Sequence, residues 1–122
     1  MTERKTCALH VEELRARGGV ERVIVARVDG AAVIDDGVLE DRERAAASAA
    51  SLAGIVDLAA RALGLDETQG AVIYGHDRQI ITRRINESLL LVVLAQTGGP
   101  ADSIYPTVRR VSERIARDLA AA

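Results

Sequence analysis

At 122 residues the chain has the length of one domain with one core, and its 48% hydrophobic and 28% charged residues are those of an ordinary globular protein. A net charge of −2 argues against a general binder of phosphate backbones, and an aromatic content of 2% leaves only Tyr74 and Tyr105 to stack on bases. With no Phe and no Trp, the core must be built from Val, Ile, Leu and Ala.

The chain opens on the charged run Met1 to Lys5 with no apolar segment behind it, so no signal peptide is expected. The single cysteine, Cys7, has no internal disulfide partner and suits a reducing compartment; a soluble, cytoplasmic protein is the expectation. Arg4 to Arg17 reads as a first helix, with Cys7, Val11 and Leu14 on one side, and Gly18-Gly19 stops it. Val20 to Val28, β-branched at its centre, reads as a strand. Asp29-Gly30 is a strong hairpin turn, and Ala31 to Asp35 returns as a second strand.

A polar, acidic connector, Gly37 to Arg42, leads into a helix over Glu43 to Gly64, with Asp41 expected as its cap. Ala45, Ala49, Leu52, Val56, Ala59 and Leu63 fall at helical spacing and are expected to cover the protein's own sheet. The other side carries Ala46, Ala50, Ala53, Gly54 and Ala60, with only Ser48, Ser51, Asp57 and Arg61 to meet water. A helix apolar nearly all round is normally buried on all sides, so a second chain is expected against the Ala/Gly side.

Three strands follow, at Ala71–His76, Gln79–Ile85 and Leu89–Ala95, with turns at Asp77-Arg78 and Asn86-Glu87. Leu89 to Ala95 is apolar at every position, so it belongs mid-sheet with both faces covered, and as the longest such run it is far too short to span a bilayer. After the break Thr97–Pro100, Ile104, Val108, Val111, Ile115 and Leu119 form the stripe of a last helix, capped by Ser103, with Pro106 in its first turn. The sum is α-β-β-α-β-β-β-α: an α/β (α+β) sandwich of three layers, one domain over residues 1–122. Its five-stranded antiparallel sheet carries one helix on one face and two on the other.

This order of elements resembles the Roadblock (dynein light chain) family, a Roadblock/longin-type domain of profilin-like architecture. The resemblance rests on Gly19–Gly30 as the opening hairpin, the Ala-rich central helix, Ala71–His76 and the apolar Leu89–Ala95. It implies a homodimer in which Ala71–His76 pairs with its copy at a sheet edge and two central helices lie side by side. The dimer interface expected from it is Ala46, Ala50, Ala53, Gly54, Asp57, Val72, Ile73 and Tyr74. Bacterial members commonly accompany small Ras-like GTPases, which implies a non-catalytic adaptor with a GTPase contact along Arg44, Ser48, Ser51 and Arg61. The family's pattern supplies no catalytic arginine to carry over.

Other chemistry is thin. Cys7 and His10 lie one turn apart but lack a third ligand, so Cys7 reads as a small buried hydrophobe and no metal is expected. His76-Asp77 reads as turn chemistry, and no nucleophile elbow, phosphate loop or dinucleotide fingerprint is present. Arg83, Arg84, Arg109, Arg110, Arg114 and Arg117 suggest a basic patch, but Glu113 and Asp118 interrupt it, so no nucleic-acid partner is expected. Asp57 and Arg61 are spaced to pair along the helix. No cofactor, active site or membrane insertion is expected; the alternative function is a small-molecule-sensing domain of the same sandwich shape.

Overall fold

The structure is a computed structural model and describes residues 2–37, 39–99 and 103–122. Its elements follow the expected order: α1 (Glu3–Arg15), β1 (Val20–Arg27), β2 (Ala32–Asp35), α2 (Leu39–Ala62), β3 (Gly70–Tyr74), β4 (Arg78–Arg84), β5 (Leu89–Gln96) and α3 (Tyr105–Ala121).

Local chemistry sets most of the boundaries. Thr2 caps α1, its hydroxyl accepting from the Lys5 amide at 3.2 Å. At the hairpin, the Asp29 carboxylate accepts from the Ala31 amide at 3.1 Å while the Arg27 amide bonds the Ala31 carbonyl at 2.8 Å. Asn86 does the same between β4 and β5, accepting from the Ser88 and Leu89 amides at 2.8 and 2.9 Å. The end of α2 is a Schellman motif: Gly64 takes a φ of +87°, the Leu65 amide reaches back to the Ala60 carbonyl at 2.8 Å, and the Gly64 amide reaches Arg61 at 3.1 Å.

Two caps are corrected. Asp41 lies inside the first turn of α2, because the helix already starts at Leu39; it faces the guanidinium groups of Arg22 at 3.4 Å and Arg44 at 3.3 Å. Val38 of the acidic connector, and Pro100 of the break before α3, lie outside the described residues. Ser103 does not cap α3 either: Ile104 holds that place without a side-chain bond, its apolar side chain buried in the core, and Pro106 sits in the first turn as expected.

The strands form one antiparallel sheet in the order β2-β1-β5-β4-β3. β5 is central, with Leu91 opposite Val25 of β1 and Val93 opposite Ile81 of β4. Because successive side chains alternate between faces, β5 serves two cores. Leu89, Leu91, Val93 and Ala95 pack with Cys7, Val11 and Leu14 of α1 and with Val108, Val111 and Ile115 of α3. Val92 joins Ile24, Ala26, Ala46 and Ala49 under α2. Each fully buried aliphatic side chain is worth about 1.5–3 kcal/mol, so the Leu/Ile/Val core under α1 and α3 supplies most of the stability. One helix covers one face and two cover the other, as the sequence predicts.

The rotation of α2 about its axis is not as expected. Of the stripe assigned to the sheet, Ala49 is buried and Ala45, Leu52 and Val56 are half-buried, but Ala59 is exposed and Leu63 is 88% exposed. Ala46, from the opposite set, is completely buried against the sheet. Small side chains do allow close approach, and here they let α2 settle onto its own β1 and β5.

Candidate functional site

The surface that stands out is the outer side of α2 together with the edge strand β3. With Ala46 and Ala49 on the sheet, the helical period turns Ser51, Gly54, Ile55 and Leu58 outward. Ile55 is 63% exposed and Leu58 is 69% exposed, and beyond the end of the helix Leu63 and Leu65 are exposed as well. Among the described residues β3 bonds only β4, so its other edge carries backbone groups without a strand partner beside α2. Ile73, opposite Ile80 on the α2 side of the sheet, is partly exposed, and Tyr74 is 70% exposed.

The residues predicted for a dimer interface divide. Gly54, Ile73 and Tyr74 are exposed, and an atom added at the Gly54 Cα would meet nothing within 4 Å. Ala50 is half-buried. Ala53 lines a small hollow with Val56 and Leu90 against the sheet, and half-buried Val72 packs on the core below α1 and α3. Ala46 is withdrawn from the set, since it has no surface to offer. Asp57 does not pair with Arg61. It binds the guanidinium of Arg84 at 2.9 Å and accepts from the Thr68 hydroxyl, tying α2 to β4 and to the loop that leads into β3. Arg44, Ser48, Ser51 and Arg61 are all exposed.

Ile55 and Leu58 carry the surface and went unassigned in the sequence. Their signal was present: both lie three residues apart on the side opposite Ala46 and Ala49, once those are recognised as the seated side. By length and composition alone Glu40–Ala62 could also cross a membrane, although no single run suggests it; in the fold one side of that helix is seated on the sheet.

Other candidate chemistry resolves into structural roles. Cys7 is buried, and desolvation, helped by the nearby Glu3 carboxylate, pushes its thiol up to about 11. His10 faces Asp118 of α3 at 2.6 Å. No cluster of metal-ligating side chains occurs among the described residues. The arginines do not make one patch: Arg83 is buried toward α3, 3.1 Å from the Tyr105 hydroxyl, whereas Arg84 points to the α2 side. Arg110 and Arg114 both bind Glu13 of α1, and these donors hold its carboxyl below the usual range against the upward push of desolvation. At the other end of the sheet, Arg22 grips Asp35 through two bonds of 2.7 and 2.6 Å, and the Gly37 amide adds a third at 2.8 Å. Burial pushes the Asp35 carboxyl up, but these donors outweigh it and hold it below its ordinary value.

Comparison with known proteins agrees with this architecture. The family model of the Roadblock/LC7 domain matches residues 7–95. The gliding protein MglB of Thermus thermophilus superposes with a TM-score of 0.83 at 21% identity, over 100% of this chain and 94% of that one. A Roadblock/LC7 domain from Streptomyces avermitilis follows at 0.78 and 14% identity, over 96% and 97% of the two chains. MglC of Myxococcus xanthus gives 0.61 at 18%, over 93% and 98%. No curated protein matches in sequence. Members of the family are generally regulatory or adaptor proteins. By the match over most of its length, with the fold to support it, this chain belongs to the Roadblock/LC7 family.

Proposed function

We propose that the protein is a non-catalytic, homodimeric adaptor of the cytoplasm that binds a small Ras-like GTPase and scaffolds it or modulates its hydrolysis. The observation that carries this reading is the outward apolar surface of Ile55 and Leu58 beside the bare edge of β3. A soluble protein does not keep such a surface without reason, and an open strand edge next to it invites a second strand. Pairing β3 with β3 of a second copy would extend the sheet and bring two α2 helices together, a closed two-fold contact. One similar structure, an MglB, is described as having a tetrameric arrangement, which supports self-association in a chain of this fold. Across such a dimer the exposed Arg44, Ser48, Ser51 and Arg61 would form the margin offered to the GTPase, with no membrane insertion and no nucleic acid involved.

Light scattering at micromolar concentration should give twice the mass of the chain, and a monomer would remove the dimer. Pull-downs with small Ras-like GTPases from the same organism, loaded with GDP or a GTP analogue, test the second half. Binding in neither state would count against it. A seat for the sensing alternative would be the hollow of about 400 Å³ between the end of α2 and the β4–β5 turn. The hollow is open, and Asp57 and Arg84, which line it, already satisfy each other, so the adaptor is the better reading.

A further inference from the structure

At the sheet edge opposite β3 a groove of about 930 Å³ runs along β2. Its floor is the strand itself; Arg4, Ala8 and Arg15 of α1 form one wall, and Arg42 and Glu43 of α2 form the other. Among the described residues β2 pairs only with β1, which leaves its outer row of backbone N–H and C=O groups without a strand partner beside this space. Ala31 and Ala32 leave the floor shallow, with room for the side chains of an added strand.

The charges in the groove are unequal. Asp35, at the end of the strand, is shut off from solvent and neutralised by Arg22. Asp36 is taken by Arg15, which also holds Glu12. Among the described residues Arg4 has no carboxylate partner, and Arg42 donates its Nε to the Gly37 carbonyl at 3.3 Å while its charge also acts on Asp35, leaving its terminal nitrogens without a bonded partner. Two cations thus flank the open edge with donors to spare, against the single carboxylate of Glu43.

We propose that the outer edge of β2 is a docking site for an extended acidic segment of a partner protein, added to the sheet as a further strand. Backbone bonds to β2 would hold the segment, while Arg4 and Arg42, on opposite faces of the sheet, would select carboxylates at successive positions, which point to opposite walls. A second copy of this chain fits poorly there. Edge-to-edge pairing of two β2 strands would bring the arginines of both copies together, and like charges in close contact are strongly disfavoured. This surface lies at the far end of the sheet from β3 and does not depend on the dimer or on GTPase binding.

The test uses the full-length protein and a fluorescein-labelled peptide, acetyl-Val-Glu-Glu-Thr-Glu-Glu-Val, which presents carboxylates to both faces of the added strand. Saturable anisotropy is expected, with amide shifts concentrated at residues 31–35 and affinity that falls as salt is raised. Replacing every Glu of the peptide by Lys, or its central Thr by Pro, should abolish binding, the latter because proline breaks the strand ladder. The double variant Arg4→Glu/Arg42→Glu should weaken binding by about tenfold or more, with its fold checked by circular dichroism. No saturable binding, equal binding of the Lys or Pro peptides, or shifts centred on β3 and α2 would overturn the proposal. Should the double variant unfold, the peptide series and the amide shifts of the wild type decide by themselves.

Discussion

At the scale of single residues, the strongest polar arrangement is Arg22 with Asp35. The carboxylate is fully buried, so its ion pair is not the weakly contributing surface kind. Replacing Arg22 by Ala leaves a buried charge uncompensated and should cost about 3 kcal/mol at neutral pH, read by urea denaturation. The acid dependence has a defined sign. The folded carboxyl is held below its ordinary value of 3.8, so the stability it contributes is present above that pH and is lost as pH falls through the folded value. The gap between wild type and Arg22→Ala should therefore narrow in acid, and a constant gap would show that the pair is not its source. Cys7 gives a second prediction. Its buried thiol, pushed up to about 11, should resist iodoacetamide at pH 8 in the native protein and react promptly in denaturant. Fast native alkylation would mean that α1 separates readily from the core.

At the scale of elements, α2 decides the reading of the whole surface. Its Ala side seats on β1 and β5, and its outer side presents Ile55 and Leu58. Gly54→Leu has open space for the new side chain and replaces the poorest helix former short of proline. It should raise the stability of an isolated chain by about 0.5–1 kcal/mol while weakening the proposed dimer, a combination that no purely structural role would produce. Leu58→Glu, at an exposed position, should leave the melting temperature of the monomer within about 2 °C yet shift the mass in light scattering from dimer toward monomer. An unchanged dimer in both variants would place the interface elsewhere. The opposite result is expected in β5. Leu91→Asp puts an unpaired charge into the core under α1 and α3 and should abolish folding, seen as loss of the cooperative thermal transition.

At the scale of the whole molecule, the sheet has two open edges with different surroundings. One, at β3, lies beside an apolar helix surface; the other, at β2, lies between arginine-bearing walls. Under the two proposals the first edge would take a like partner and the second an acidic one, so the two contacts would not compete. The order of elements, the hairpin at Asp29-Gly30, the helix stop at Gly64 and the central place of Leu89–Ala95 were all legible in the sequence, because each depends on short-range chemistry or on an unbroken apolar run. The sequence alone therefore determined the sandwich and its family. Only the tertiary structure decided which side of α2 faces out. A helix of mostly Ala has too little contrast between its sides for periodicity to choose, and Ala46 is distinguished from Ala50 only by the sheet it packs on. The pairing of Asp57 with Arg84 rather than Arg61, and the grip of Arg22 on Asp35, were likewise invisible, because each joins residues that only the folded sheet brings within reach.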